Sequence, residues 1–216
     1  MSKTKLICFD VDGTLVDGTS WLLLTEGLGC SLQEHLDIFH RAKRGEISFV
    51  KGEKLLTKMY QDSGNATKSF IRELFSKIEP RKEARSLFGH LKKKGFIIYL
   101  ISGAIDIFVG EIANKLEVDG FYANSRLDFN NSGLLTKIHY RDNQGEVKVE
   151  QLKKLNNKLG INMNQVVFVG DSENDIEVFK VTGKGIAVHC FNEDLKKVAW
   201  KSANSLSGIK NLLQSG

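Results

Sequence analysis

The chain has 216 residues, a hydrophobic fraction of 41% and a formal net charge of +5. This length is enough for one good α/β core and a small appendage. The apolar runs are far shorter than the ~20 residues that span a bilayer, and no N-terminal signal pattern is visible. We therefore expect a cytoplasmic protein with no membrane partner.

The cysteines and the excess of lysine exclude further classes of protein. Cys8, Cys30 and Cys190 form no Cys-x-x-Cys pair, so neither a zinc site nor a disulfide framework is expected. The lysines are scattered among acidic residues without interleaved aromatic residues. This pattern argues against a nucleic-acid partner.

The first predicted element is a short strand that ends in two carboxylates. The apolar run Leu6 to Phe9 is followed by Asp10 and, two residues later, by Asp12 and Gly13. Ligands of α/β sheets bind at the carboxyl ends of strands, so both acids are expected to face one small volume. Two neighbouring carboxylates repel each other, which implies a hard cation such as Mg²⁺. A plain Asp-Gly turn without chemistry is the alternative.

Residues 17–79 are predicted to form a small helical bundle inserted into the sheet domain. Apolar residues recur there at helical spacing, with Gly45 and Gly64 as breaks. We therefore predict a Rossmann-like core built from residues 1–16 and 80–216, and a helical cap formed by residues 17–79. The cap would cover the edge of the sheet that carries the acids.

A second predicted strand, Phe96 to Ile101, ends in Ser102 and Gly103. A hydroxyl and free backbone N–H groups before a helix attract phosphate, so Ser102 is a candidate phosphate ligand. Ser102 could equally be the N-cap of a helix that begins near Ile105.

Residues 121–140, with Asn130-Asn131-Ser132-Gly133 in the middle, are predicted to form a β-hairpin or flap. An amphipathic helix is then predicted from Val149 to Leu159, with Lys148 at its start. A βαβ arrangement would bring Lys148 to the same sheet edge as Ser102. Most lysines are surface charges, so only this position makes Lys148 a candidate cation for phosphate.

The strand predicted from Val166 to Val169 is followed by Gly170, Asp171 and, four residues later, Asp175. Asp171 would complete a metal site begun by Asp10, while Asp175 would hold a metal-bound water or orient Lys148. A helix is predicted for residues 174–181, and Asp175 alone could be an ordinary acid at its N-terminus. A strand at residues 185–188 and helices near 194–200 and 206–213 complete the predicted elements.

The order Asp-Val-Asp-Gly-Thr, Ile-Ser-Gly, a lysine, and Gly-Asp-Ser-Glu-Asn-Asp resembles the four motifs of the haloacid dehalogenase-type hydrolases. More narrowly, it is similar to their phosphoserine phosphatase-like branch. The close match covers residues 6–16, 94–108 and 148–188, which is under half of the chain. The resemblance implies an α/β fold with a doubly wound parallel sheet and an inserted helical cap.

The resemblance also implies a Mg²⁺-dependent phosphomonoester hydrolase that acts on a small phosphorylated metabolite. Asp10 would be the nucleophile that forms an aspartyl-phosphate, and Asp12 the general acid and base. The acid at position 12 favours phosphate esters over halides, because expelling an alkoxide requires a proton. The metal residues would be Asp10, the main-chain carbonyl of Asp12, Asp171 and Asp175. The phosphate-binding residues would be Asp12, Gly13, Ser102, Gly103, Lys148 and Asn174.

Phosphoserine phosphatases carry a Glu and an Arg that read the substrate's amino and carboxylate groups, where this chain has Thr19 and Leu56. We therefore expect phosphoserine to be a poor substrate of a less polar pocket, lined partly by Trp21, Phe49 or Met59. Phosphoserine phosphatase proper, a phosphosugar mutase and a non-enzymatic phosphoaccepting receiver are the alternatives. The sequence leaves the oligomeric state open.

Overall fold

The structure is a computed structural model that describes residues 4–214. The ends of the predicted core, residues 1–3 and 215–216, lie outside the described residues. The strands are β1 Leu6–Phe9, β2 Ile97–Ile105, β3 Gly120–Phe129, β4 Leu135–His139, β5 Val166–Gly170, β6 Gly185–Val188 and β7 Lys201–Ala203. The helices are α1 Ser20–Gly27, α2 Leu32–Lys43, α3 Phe49–Asp62, α4 Lys68–Ser76, α5 Lys82–Lys93, α6 Asp106–Leu116, α7 Gln144–Leu159, α8 Ile176–Thr182, α9 Glu193–Val198 and α10 Leu206–Gln214.

The described strands form one seven-stranded sheet in the order β4-β3-β2-β1-β5-β6-β7. All pairs are parallel except β3 with β4, which form the predicted antiparallel hairpin. The strand β1 lies at the switch point of the sheet, because the chain continues on one side through β2 and on the other through β5. The predicted doubly wound α/β fold is confirmed. Its ligand crevice is expected at the carboxyl end of β1.

The central strands are fully buried because helices cover both faces of the sheet. Every residue of β1 and β5 is buried, and both strands read as continuous apolar runs, which is typical of a parallel sheet. One apolar cluster joins Phe9 on β1 to Phe88 on α5, and a second joins Cys8 to Phe168 on the opposite face. This packing holds the carboxyl ends of the strands in fixed positions.

Helices α1–α4 occupy the region predicted as a cap. Each begins with a Ser or Thr side chain that accepts a hydrogen bond from the first turn, namely Thr19, Ser31, Ser48 and Thr67. The helices also contact the β3–β4 hairpin, since Gln61 donates to the Leu135 carbonyl and the Tyr140 backbone N–H donates to Glu53. The division into a core and a cap at residues 17–79 stays a prediction.

Arg81, at the start of α5, holds both ends of the segment that contains α1–α4. Its guanidinium donates to the carbonyls of Gly13 and Thr14 at 3.1 and 3.2 Å. It also forms an ion pair with Asp17 at 2.6 Å. The chain leaves the sheet after β1 and returns to it at α5, so this one side chain ties the two crossings together.

Three local predictions differ from the structure. The helix that carries Lys148 begins at Gln144, so Lys148 lies in its second turn and not at its start. The helix predicted for residues 174–181 begins with a 3₁₀ turn at Glu173–Asp175 and becomes α-helical at Ile176. The short edge strand β7 at Lys201–Ala203 was not predicted, because a three-residue run without a buried face gives no periodic signal.

In the structure, Cys8, Cys30 and Cys190 are all free cysteines. Within residues 4–214, no helix combines the length and the apolar character that crossing a membrane requires.

We predict that Gly185→Ala destabilises the protein by about 1–3 kcal/mol, the usual cost of overpacking a core. An added Cβ at Gly185 would lie inside the buried ring of Phe179. Urea unfolding followed by circular dichroism measures the change. Gly89→Ala is the matched control, because a Cβ on this α5 residue has no neighbour within 4 Å. Alanine should stabilise the helix there by about 0.5–1 kcal/mol. Equal unfolding midpoints for the two variants would contradict the prediction.

Candidate active site

Three neighbouring strands deliver Asp10, Ser102 and Asp171 to one edge of the sheet. The strands β1, β2 and β5 are in register, with Phe9 opposite both Leu100 and Val169. Asp10 directly follows β1, and its backbone N–H donates to the Val169 carbonyl at 2.9 Å. The predicted convergence of these distant chain segments therefore follows from the strand order.

Three carboxylates lie close enough together to hold one metal ion. One oxygen atom each from Asp10, Asp171 and Asp175 lies within 4.8 Å of the others. Burial, followed by repulsion from Asp10, raises the pKa of Asp171 to about 7. A cation among these groups would offset that repulsion.

The donor set fits a hard divalent ion such as Mg²⁺. It consists of carboxylate oxygens, without the imidazole or thiolate ligands that softer metals favour. Asp171 accepts from the Thr14 hydroxyl through Oδ1 at 2.6 Å, and no partner is recorded for its Oδ2 among the described residues. Both oxygens of Asp175 are engaged: Oδ1 contacts Lys148, and Oδ2 accepts from the backbone N–H groups of Asp171 and Ser172. Asp10 is engaged in the same way, since Oδ1 accepts from the Val11 backbone N–H and Oδ2 contacts Lys148, so Asp171 Oδ2 is the oxygen most open to a direct metal contact.

Lys148 lies fully buried beneath the acids. Its Nζ is 2.9 Å from Asp10 Oδ2, 2.6 Å from Asp175 Oδ1 and 2.6 Å from Asn174 Oδ1. Burial alone would lower the pKa of Lys148, but the adjacent Asp10 and Asp175 carboxylates raise it overall. The ammonium thus stays charged. Lys148 reaches the acids from the second turn of α7 and not from the start of the helix.

Asp12 turns away from the three-carboxylate cluster toward helix α1. Its Oδ1 accepts from the Ser20 backbone N–H at 3.0 Å, and its Oδ2 accepts from the Ser20 hydroxyl at 2.9 Å. Burial and the charge of Asp10 raise the pKa of Asp12 to about 7, against the lowering effect of the Ser20 hydrogen bonds. Both protonation states are therefore populated near neutral pH, which suits a general acid and base.

Ser102 is fully buried and lies within β2, where the register with β3 shifts between Ser102 and Ile105. Its Oγ accepts from the Ala104 backbone N–H at 3.2 Å. Helix α6 begins after Ile105 without a side-chain cap, so the N-cap interpretation of Ser102 is wrong. The strand continues past Ser102 because the parallel pairing with β3 outweighs the Ser-Gly turn signal.

Two glycines allow the backbone to approach the acids closely. Gly13 has a φ of +72°, and a Cβ there would collide with the Asp171 carboxylate. A Cβ on Gly170 would likewise collide with the Asp175 carboxylate. Larger residues at these positions would displace the two carboxylates.

A cavity of about 940 Å³ joins most of the predicted residues. The acids and phosphate-site residues that line it are Asp10, Asp12, Gly13, Ser102, Gly103, Asp171 and Asn174. Lys148 and Asp175 are not among the lining residues. Lys148 contacts Asp10 and Asn174 from below, and Asp175 contacts Lys148. The side chain of Asp12 is not part of the acid cluster, and a metal-binding role for its main-chain carbonyl stays a prediction.

The inserted helices line the rest of the cavity, and Thr19, Trp21, Phe49 and Leu56 lie there as the sequence suggested. Met59 does not line the cavity; it packs against the main apolar cluster. The helical period alone cannot tell which apolar side of a cap helix faces ligand and which faces core.

Sequence reasoning missed Thr14, Ser20 and Gln144. Thr14 lies two residues after Asp12 in the first motif, and this position could have indicated a role in the site. Ser20 contacts Asp12 only because α1 folds back onto the loop after β1, which no local pattern reveals. Gln144 lines the cavity and accepts from Asn124 at 2.6 Å, a contact that depends on the packing of α7 against β3.

Comparisons with known proteins agree with this fold and site. A family profile described as a haloacid dehalogenase-like hydrolase matches residues 4–183. The chain is 34% identical to a phosphoserine phosphatase of Lactococcus lactis subsp. lactis (strain IL1403), over 87% of this chain and 84% of the relative. It is 32% identical to a phosphoserine phosphatase of Methanocaldococcus jannaschii, over 91% of this chain and 90% of the relative.

Solved structures extend the likeness to the whole fold. A substrate-bound phosphoserine phosphatase complex has a TM-score of 0.75 and 29% identity, covering 98% of this chain and 99% of the other. A phospho-aspartyl intermediate analogue of phosphoserine phosphatase has a TM-score of 0.74 and 28% identity, with the same coverage.

The chain belongs to the haloacid dehalogenase-like hydrolase family. Within that family it belongs to the phosphoserine phosphatase-like branch, as the four motifs predicted. The prediction of a phosphatase, that is, a phosphoric monoester hydrolase, is confirmed.

We predict that Lys148→Met destabilises the metal-free protein by about 3–5 kcal/mol, the usual cost of removing one partner from a buried ion pair. Methionine fills a similar volume but leaves the Asp10 and Asp175 carboxylates without their cation. Chemical denaturation in EDTA measures the loss. Lys153→Met, on the exposed face of the same helix, controls for the substitution itself and should change stability by less than about 0.5 kcal/mol. The prediction fails if the two variants unfold at the same denaturant concentration.

Proposed function

We propose that this protein is a Mg²⁺-dependent phosphomonoester hydrolase that forms an aspartyl-phosphate on Asp10 and acts on a small phosphorylated metabolite. One observation carries the proposal: the carboxylate of Asp10 lies at the cavity surface and is held at 2.9 Å by the buried ammonium of Lys148. This ion pair fixes the Oδ2 atom of Asp10 next to a buried positive charge.

In the first step, an oxygen of Asp10 attacks phosphorus, and the bond from phosphorus to the leaving alcohol's oxygen breaks. Asp12 gives its proton to the departing alkoxide, so the alcohol leaves neutral. In the second step, water attacks the phosphorus of the aspartyl-phosphate, Asp12 takes up the water's proton, and Asp10 is released with inorganic phosphate. The hydrogen bonds from Ser20 hold the Asp12 carboxyl next to the cavity between these steps.

The oxygens of the transferring group need positive charge and hydrogen-bond donors. The Lys148 ammonium neutralises charge from below, and the hydroxyl of Ser102 and the backbone at Gly103 line the same volume. A Mg²⁺ ion held by Asp10 and Asp171 would supply further charge neutralisation, which a loose phosphoryl-transfer transition state chiefly requires. Asp175 serves mainly to orient Lys148.

The cavity favours a leaving group without a carboxylate. Among residues 4–214, no arginine lines it, and the one lining lysine, Lys43, is already paired with Glu173 at 3.0 Å. Further acids, including Glu53 and Asp142, also line the cavity. A buried substrate carboxylate would therefore meet repulsion without a counter-charge. We infer that phosphoserine is a poor substrate.

Phosphoserine hydrolysis is the second candidate, because the two curated relatives named above are phosphoserine phosphatases. The difference lies at Thr19 and Leu56, where a charged pair would be needed to read an amino acid. Thr19 is instead the N-cap of α1, with its hydroxyl accepting from the Leu22 backbone N–H.

We also keep the prediction that the protein works in the cytoplasm.

We predict that Asp10→Asn lowers phosphate release from p-nitrophenyl phosphate by on the order of 10³-fold or more, because an amide cannot form the acyl-phosphate. Asparagine has almost the same size, so the fold should be retained. Asp62→Asn, an exposed acid on α3, is the control for the chemical change and should keep full turnover.

EDTA should abolish wild-type turnover, and added Mg²⁺ should restore it. Substantial phosphate release by Asp10→Asn would contradict the aspartyl-phosphate route. Turnover that persists in EDTA would contradict the metal requirement.

We further predict a kcat/KM for phosphoserine at least tenfold below that for an uncharged ester of equal carbon length, such as propyl phosphate. The missing counter-charge for the substrate carboxylate is the physical reason. Steady-state phosphate release with both substrates measures the ratio. A ratio near one, or a preference for phosphoserine, would favour the second candidate.

A further inference from the structure

The cavity wall formed by the inserted helices contains one buried polar side chain among its described residues, His35 on α2. The other lining side chains around it are largely apolar or aromatic: Trp21, Leu22, Leu36, Phe39, Phe49, Leu56 and Tyr140. His35 is 5% exposed, and its ring lies edge-on to that of Trp21. A lone polar group in an apolar wall is a candidate for reading the substrate.

A buried hydroxyl network holds one edge of the His35 ring. The Thr25 Oγ1 atom lies 2.6 Å from His35 Nδ1 and 2.8 Å from the Tyr60 hydroxyl, which lies 3.2 Å from the same Nδ1. The Thr25 hydroxyl also donates to the Trp21 carbonyl at 2.8 Å. Thr25 and Tyr60 are both buried, so these contacts fix the ring in one orientation.

Counting protons in this network assigns the tautomer of His35. Thr25 has one hydroxyl proton, and the Trp21 carbonyl takes it. The Tyr60 hydroxyl donates to Thr25, which is the shorter of its two contacts. The contact of 2.6 Å between Thr25 and His35 therefore needs Nδ1–H as its donor. Nε2 is therefore left with a lone pair. Burial lowers the pKa of the His35 imidazole, which favours the neutral ring.

The free Nε2 is the part of the ring available to a ligand. Nε2 forms no hydrogen bond with any of residues 4–214, and it is not fully sealed from solvent. His35 lines the cavity, while its Nδ1 edge is turned to Thr25 and Tyr60. The His35 ring thus offers a fixed hydrogen-bond acceptor at Nε2.

We propose that His35 is a specificity-determining residue whose Nε2 accepts a hydrogen bond from a hydroxyl group of the leaving alcohol. The inference rests on the proposed phosphatase function and names its substrate class: phosphate esters of uncharged, hydroxylated carbon skeletons such as polyols or sugars. The apolar and aromatic side chains around His35 suit the C–H faces of such skeletons. A carboxylate finds no proton at Nε2, and an ammonium would lose its hydration against an apolar wall.

The test compares matched esters that differ only in hydroxyl groups. Glycerol 1-phosphate is paired with propyl phosphate, and sorbitol 6-phosphate with hexyl phosphate, so that two distances from phosphorus are sampled. In at least one pair, the wild type should prefer the hydroxylated ester in kcat/KM by about tenfold, as one well-formed neutral hydrogen bond supplies. Turnover of all four esters without a preference overturns the inference and leaves the phosphatase proposal standing. Absence of turnover for every ester contradicts the phosphatase proposal itself.

Two His35 variants separate a recognition role from a structural one. His35→Phe keeps a planar ring but has no acceptor, so the hydroxyl preference should fall to about one. The Thr25 and Tyr60 hydroxyls remain paired with each other in this variant. His35→Gln places an amide oxygen near the Nε2 position and should restore a preference of several-fold.

Tyr60→Phe removes a network hydroxyl but leaves the contact of Thr25 with Nδ1, and it should keep most of the preference. A structural role for His35 would reduce kcat/KM for all four esters equally and leave their ratios unchanged in every variant. That result would overturn the inference.

Discussion

The buried ammonium of Lys148 is the interaction on which the site depends. Asp10, Asp171 and Asp175 are gathered at one sheet edge, and carboxylates at this separation repel strongly out of water. One cation supplied by α7 offsets two of these charges directly, at 2.9 and 2.6 Å. The protein itself therefore carries part of the charge that compensates the clustered acids.

The inserted helices are coupled to this centre through a short series of contacts. Asp12, two residues after the proposed nucleophile Asp10, accepts two hydrogen bonds from Ser20, the first residue of α1. One turn later on α1, Thr25 holds the ring of His35 on α2. A single helix thus links the proton-transfer residue to the wall that faces the leaving group.

The sequence was sufficient to predict what depends on strand order and on motifs. Asp10, Ser102 and Asp171 each follow or end a recognisable apolar strand, and parallel strands put such positions at one edge. Lys148 was found by its position before the helix that leads to β5, although that helix starts at Gln144 and not at the predicted Val149. The N-cap interpretation of Ser102 failed because strand pairing extends β2 to Ile105, a long-range effect invisible in the local pattern. The packing of the cap helices decides that Ser20 contacts Asp12, that His35 lines the cavity and that Met59 does not. Helical periodicity alone does not specify this packing.

The contacts of Arg81 have a consequence for how this chain tolerates change. One guanidinium fixes the carbonyls of Gly13 and Thr14 and pairs with Asp17, so the entry and exit of the inserted segment are clamped at a single point. Lengthening or recombining the segment between these anchors would leave the loop that carries the acids in place. Changes in α2–α4 between these anchors are therefore compatible with a fixed acid-bearing loop, provided that α1 keeps Ser20 against Asp12.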